Sequence, residues 1–137
     1  MRRKRVSLTA ATLVTTVSLF AAMAASAQDK PNWRDGRKVF KKCEACHSFR
    51  PGETRFGPSL AGFYGRKAGT APDFPYSKGL LAKRAEGLVW TTETLEPFLK
   101  APKKFIEKTK MSFPGLKDPD DLRSVIAYVK RKGSRKR

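Results

Sequence analysis

Asp35-Gly-Arg-Lys-Val-Phe40-Lys-Lys-Cys43-Glu-Ala-Cys46-His47 is the stretch on which the reading of this chain turns. Gly36, Val39, Phe40 and Cys43 fall at helical spacing, which predicts a short helix over residues 35–43 running straight into the cysteine pair. Cys43 and Cys46 are the only cysteines and His47 is the only histidine. Two cysteines three apart can form a disulfide, a redox dithiol or half of a zinc site. Zinc needs four ligands, and no second cluster completes the set. A thioredoxin-like dithiol belongs to a βαβ pattern, which this sequence lacks.

Working outward to the N-terminus, Met1-Arg-Arg-Lys-Arg5 is a positive n-region and Val6 to Ala24 carries no charge. The run is rich in Ala, Thr and Ser and ends at Ala25-Ser26-Ala27, a small-x-small cleavage pattern. Residues 1–27 therefore read as a signal peptide cleaved after Ala27, not as a transmembrane helix, and the expected location is a bacterial periplasm. In an exported chain, Cys-x-x-Cys-His is the attachment signal of a c-type haem. Cysteines three apart on a helical turn face one side, so both thiols can reach the two vinyl groups of a porphyrin. His47, next along the turn, can then place its imidazole beneath the iron. One haem c, attached through Cys43 and Cys46, is the expected cofactor.

The iron's second axial ligand must come from elsewhere, because no other histidine exists. Met1 and Met23 leave with the signal, so Met111 is the one thioether of the mature protein. It lies in Lys108-Thr-Lys-Met-Ser-Phe-Pro-Gly115, where Pro114 and Gly115 suit the centre of a type II turn. A methionine more often fills a gap in a core. This segment is polar and has no helical period, which favours the ligand role for Met111, with Lys108 or Lys110 as fallback.

Further along, Asp118 suits a helix N-cap, Pro119 the first helical position, and Asp120 and Asp121 the first turn. Leu122, Val125, Ile126 and Val129 make one apolar stripe, with Gly133 as a stop. That stripe should bury against the Gly36 face of the first helix, where a glycine allows a close crossing. Thr91 to Lys100 reads as a third helix with Leu95, Phe98 and Leu99 inward, closed by Ala101-Pro102. Pro97 suggests a later start, so that the proline falls in the first turn. Ser48 to Val89 reads as loops with one short helix around Gly79 to Glu86. Without an alternating strand pattern, the expected fold is all-α: three main helices, with loops wrapped around a flat cofactor.

The expected organisation is a signal peptide (1–27), one domain (28–130) and a basic C-terminal tail (131–137). The whole chain carries 30 Lys and Arg against 12 Asp and Glu. Loss of Arg2, Arg3, Lys4 and Arg5 leaves a mature net charge of about +14. Such a charge draws acidic partners or anionic lipid. No nucleic-acid-binding motif or basic recognition helix is present, so nucleic acid is not expected. The tail reads as a disordered solubilising end, with a weak anionic-membrane contact as the alternative.

The motifs Gly36-x-x-x-Phe40-x-x-Cys43-x-x-Cys46-His47, Gly57-Pro58-Ser-Leu60, Gly65-Arg66-Lys67, Gly87-Leu-Val-Trp90, Pro102-Lys-Lys-Phe105, Thr109-Lys-Met111 with Phe113, and Ile126-Ala-Tyr128 together resemble class I cytochrome c. The resemblance runs from Gly36 to Lys130. It implies that the Pro58 carbonyl accepts from the free nitrogen of His47, and that Arg66, Tyr76, Trp90 and Thr109 hold the haem propionates. It also implies that Phe113 covers the haem face beside Met111 and that Phe40 meets Tyr128 between the terminal helices. Three features depart from the mitochondrial pattern. Phe98 replaces a tyrosine that bonds the methionine ligand, the Tyr76–Trp90 stretch is longer, and Glu107-Lys108 replaces Pro-Gly. An iron with His and Met ligands has no open position, which implies a single-electron carrier and not an enzyme. Lysines 41, 42, 67, 103, 104, 108 and 110 suggest steering toward acidic redox proteins. Candidates are a quinol-oxidising complex, a terminal oxidase or a photosynthetic reaction centre, met by a monomer. A dedicated electron-transfer subunit of one dehydrogenase and a small peroxidase are the rival readings.

Overall fold

The computed structural model describes residues 31–134; the expected signal peptide and residues 135–137 of the tail lie outside them. Five helices follow in order: α1 (Trp33–Glu44), α2 (Lys78–Ala85), α3 (Thr92–Lys100), α4 (Pro102–Phe105) and α5 (Pro119–Gly133). Among the described residues the only β pairing is an isolated bridge between Lys67 and Val89. The all-α expectation therefore holds, with α2 where the short helix was read.

α1 starts two residues earlier than its apolar period indicates. Asn32 caps it, accepting a hydrogen bond from the Arg34 N–H, and Asp35 lies in the first turn where the helix dipole favours an acid. α5 begins as its capping residues predict: the Asp118 carboxylate accepts from the N–H groups of both Asp120 and Asp121, with Pro119 at the first position. Of the helix pairs in contact, α1 and α5 share the most extensive interface. Their crossing is close because Gly36 has no side chain; a Cβ there would lie 1.9 Å from the Ser124 carbonyl oxygen. Val39 and Phe40 from α1 and Leu122, Val125, Ile126, Tyr128 and Val129 from α5 are all buried at this seam. The Phe40 ring lies 5.3 Å from Tyr128 and 4.9 Å from Phe49. Such aromatic pairs add about 0.5–1.5 kcal/mol beyond area burial. Phe49 is a member of this cluster that the helical period could not reveal, because it belongs to a loop.

α5 continues through Arg131 and Lys132 to Gly133, the stop that the sequence suggests. Two contacts hold this last turn: the Arg131 guanidinium lies 4.5 Å from the Trp33 ring centroid, and Gly133 sits so near Phe63 that a Cβ would come within 2.4 Å of that ring.

α3 corrects the reading of Pro97. The helix starts at Thr92, and Pro97 lies inside it, beyond the first turn. The start is held by its cap: the Thr91 N–H donates to Thr94 Oγ1, which donates to the Val89 carbonyl. Pro97 leaves the Glu93 carbonyl without its helical donor, but both residues are exposed, so water can take that place. Of the three residues expected inward, Leu95 is buried and Phe98 and Leu99 are half-buried. Pro102 does more than close α3, because it occupies the first position of α4, a one-turn helix ending beside the fully buried Ile106.

The expected type II turn at Pro114-Gly115 is not closed by its own hydrogen bond. Gly115 has the positive φ of +95° that such a turn requires, but the Leu116 N–H donates instead to the Leu99 carbonyl, 2.9 Å away. The segment is thus fastened to the end of α3, and a Cβ on Gly115 would lie 2.3 Å from the Lys100 carbonyl oxygen.

Candidate haem site

At the end of α1 the N–H groups of Cys46 and His47 both donate to the Cys43 carbonyl, at 3.0 and 2.9 Å. This tight turn brings two thiols and one imidazole together at the helix end. Both cysteines are free, Cys43 half-buried and Cys46 exposed. Burial pushes the Cys43 thiol up to about 11, with the neighbouring Cys46 and Glu44 adding to the shift. Cys43 is thus a neutral thiol, unlike the low-pKa thiolate of a redox dithiol.

The imidazole is seated by the loop that follows. His47 Nδ1 lies 2.9 Å from the Pro58 carbonyl oxygen. A carbonyl can only accept, so Nδ1 carries the hydrogen and Nε2 keeps its lone pair. Burial holds the imidazole below its ordinary pKa, and the Pro58 bond opposes that only in part. Neutral imidazole is the form that binds a metal. Gly57 forms the floor: its N–H donates to the Cys46 carbonyl at 2.9 Å, and a Cβ there would stand 2.4 Å from His47 Cε1.

Among the described residues no group of three His, Cys, Asp or Glu side chains could hold a bare metal ion. The chain thus offers one oriented nitrogen donor and two thiols, without the ligands that a zinc site needs. That donor set fits a metal that brings its own ring of nitrogen ligands and is tethered through sulfur, as haem c is.

Met111 is half-buried and its N–H donates to Thr109 Oγ1 at 3.2 Å. That contact uses an acceptor site on Thr109, leaving its O–H to donate elsewhere. Phe113 is partly buried and packs on the core. Of the fallback ligands, Lys110 donates through Nζ to the Pro75 carbonyl at 3.0 Å, and Lys108 is exposed.

The structure pairs two of the four residues that the resemblance assigns to the propionates. The backbones of Arg66 and Trp90 pair, with the Trp90 N–H donating to the Arg66 carbonyl at 3.0 Å. The Tyr76 hydroxyl accepts from the Ala71 N–H at 3.1 Å. Burial raises the Tyr76 phenol, opposed in part by the Ala71 N–H and by the positive charges of Arg66 and Arg84. Arg66 Nη1 donates to the Ala61 carbonyl, and the Trp90 ring stacks 4.9 Å from Phe98. No side-chain hydrogen bond joins Thr109 to this group. Arg84 was missed by sequence reasoning: it lies in the lengthened Tyr76–Trp90 stretch, and α2 turns it back so that Nη1 donates to the Gly69 carbonyl at 3.2 Å.

A helical chain whose terminal helices cross at a glycine, with a thiol pair and a seated imidazole at the end of the first, defines a c-type haem protein. The sequence model of the family described as cytochrome c matches residues 33–132. Cytochrome c2 from Afifella marina is 47% identical over 96 residues, covering 69% of this chain and 77% of that one. Cytochrome cH from Methylobacterium extorquens superimposes with a TM-score of 0.66 at 39% identity, over 73% of this chain and 98% of that chain. Cytochrome c2 from Rhodospirillum centenum gives 0.68 at 37% identity, over 73% and 97%. The chain belongs to the cytochrome c family, in its class I, and carries covalent haem c through Cys43 and Cys46. It is a haem electron carrier.

Proposed function

We propose that this chain is a freely diffusing carrier that takes one electron at a time between membrane-bound redox complexes in the periplasm. The observation that carries this reading is the His47 seat: an imidazole fixed through Nδ1 by Pro58, over Gly57, with Nε2 left for iron. The haem supplies a one-electron couple. His47 and Met111 would hold the haem iron between them, which would leave no place for a substrate and sets this reading against an enzyme. The soft thioether favours the reduced state, and the Thr109 contact at its N–H positions the Met111 segment. Arg66, Tyr76, Trp90 and Thr109 hold the propionates: one cation and three donors offset carboxylates that are costly to bury. Phe113 covers the Met111 side and keeps water from it.

Lysines 41, 42, 67, 103, 104, 108 and 110 are all exposed, which supports steering toward acidic partners such as a quinol-oxidising complex, a terminal oxidase or a photosynthetic reaction centre. Lys42 is drawn to Asp121 at 3.2 Å, so it contributes less than the rest. Residues 1–27 direct export and are removed after Ala27, and the chain works as a monomer. Basic residues beyond α5 add a weak contact with anionic lipid at most.

The test is a redox titration and a cyanide titration of the purified holoprotein at neutral pH. A reversible one-electron couple with a sulfur-to-iron near-infrared band and no cyanide binding is the expected result. Ready cyanide binding by the resting protein would replace the carrier with a peroxidase-like enzyme.

A further inference from the structure

Phe56 is 90% exposed, whereas every other phenylalanine among the described residues is buried or half-buried. Single exposed apolar residues are ordinary. This one differs in how it is held. The next residue, Gly57, donates its N–H to the Cys46 carbonyl at 2.9 Å, and the preceding Arg55 donates through Nη1 to the Glu44 carbonyl. The Arg55 N–H also closes on the Gly57 carbonyl at 3.0 Å, directly across Phe56. Arg55 Nε reaches Glu53 Oε1 at 2.9 Å, while Ser48 Oγ donates to the other carboxylate oxygen at 3.0 Å. Arg55 and Ser48 hold the Glu53 carboxyl below the usual carboxylate range, so this clamp stays charged at neutral pH. Phe56 is therefore presented to solvent from a braced loop fastened to the turn that carries Cys46.

The surroundings are cationic. Arg50 and Arg55 share the loop, and Lys41 and Lys42 lie on the last turn of α1 that feeds the same site. Of the acids beside these cations, Glu53 is engaged by Arg50 and Arg55 and Asp121 by Lys42, leaving Glu44 exposed. An exposed aromatic flanked in its own loop by two arginines, Arg50 and Arg55, has the composition of an interface hot spot, in which the apolar group gives affinity and the charges give orientation and encounter rate.

We infer that Phe56 is the apolar anchor of the docking surface: it enters an apolar pocket on an acidic redox protein, with Arg50, Arg55 and Lys41 facing that protein's carboxylates. The inference rests on the carrier reading above and names what its partner must offer. Charge complementarity selects this occupant. A second copy of a chain with a net charge near +14 is repelled, and one aromatic side chain is too little apolar area for stable insertion into lipid. A partner seated here would also lie beside Cys46, to which Gly57 is bonded and through which the haem would be held.

The test compares wild-type holoprotein with Phe56→Ser and Phe56→Leu, using a detergent-solubilised quinol-oxidising complex as electron donor across a range of ionic strength. Hexacyanoferrate, a small reagent that needs no pocket, serves as the second reactant. Phe56→Ser should raise KM for the protein donor roughly tenfold or more while kcat stays within about twofold, with Phe56→Leu restoring most of the loss. Its rate with hexacyanoferrate and its reduction potential should match wild type. An unchanged KM in Phe56→Ser, with rates that still fall as salt rises, overturns the anchor and leaves the carrier reading standing. Rates flat in salt for all three proteins overturn the acidic-partner reading, and the anchor with it. An equal loss with hexacyanoferrate shows a structural defect and also overturns the proposal. So does an effect confined to binding of phosphatidylglycerol vesicles, or to self-association in sedimentation.

Discussion

Met111 and Lys108 show how single residues near the ligand segment carry opposite burdens. Met111 is the one thioether among the described residues, so Met111→Ala leaves only harder donors to replace sulfur. Harder donors favour Fe(III), and the potential should fall by several steps of about 59 mV, each equivalent to about 1.4 kcal/mol. The variant should also bind cyanide, which one redox titration and one ligand titration will show. An unchanged potential with an unchanged near-infrared band would exclude Met111 as the ligand. Lys108 bears a backbone cost instead. Its φ is +53°, in the left-handed region where a Cβ crowds the following carbonyl. It stands where the mitochondrial pattern has glycine, and its side chain is exposed. Lys108→Gly should therefore raise holoprotein stability by about 1 kcal/mol, less the extra entropy that glycine gives the unfolded chain. A guanidinium titration should show a higher midpoint at unchanged slope.

The elements differ in what anchors them. α1 and α5 are defined by local signals, the Asn32 and Asp118 caps and two apolar stripes, and they meet where Gly36 permits. Gly36→Ala would place a methyl group 1.9 Å from a backbone oxygen that belongs to another helix and cannot rotate away. The helices must separate, and the loss should be about 3 kcal/mol or more, at the upper end of overpacking costs. Thermal unfolding of the holoprotein measures it. A variant as stable as wild type would show that the two helices do not cross so closely. α2 and α4 are held differently. α2 buries none of its residues, yet a Cβ on Gly79 would lie 1.8 Å from the Glu107 carbonyl oxygen, so the helix is braced against the segment before Met111.

For the molecule as a whole, the cofactor is part of the core. With the proposed removal of residues 1–27, about 110 residues would remain, a size at which one apolar core is marginal without added buried area. The α1–α5 seam is well packed, but Trp90, Phe98, Phe105 and Phe113 are only half-buried by the chain itself. Their remaining surface is available to a flat apolar group. The variant with both Cys43→Ser and Cys46→Ser should therefore lose most of its helicity by circular dichroism once non-covalent haem is washed away. Cooperative unfolding with near-native helicity would mean that the seam between α1 and α5 suffices alone.

The terminal helices, the Asp118 cap of α5, the Gly36 face and the Cys-x-x-Cys-His turn were legible in the sequence because each depends on residues within a few positions of one another; the Asn32 cap of α1 was not. Met111 was singled out as a candidate ligand by elimination, and Arg66, Tyr76, Trp90, Thr109 and Phe113 as candidate haem contacts through resemblance to a family, as was Pro58, whose carbonyl does meet His47 Nδ1. Other features came only from tertiary structure. Arg84 reaches the Gly69 carbonyl because α2 folds back on that segment, and Arg131 meets the Trp33 ring because α1 and α5 pack together. The Gly115 segment is tied to Leu99 and not to itself, which no local turn preference can foresee. Pro97 sits inside α3 because exposure lets water take the carbonyl that proline frees. Local propensity and spacing act through neighbours in sequence, whereas these contacts join segments distant along the chain, and their geometry exists only once the helices have packed.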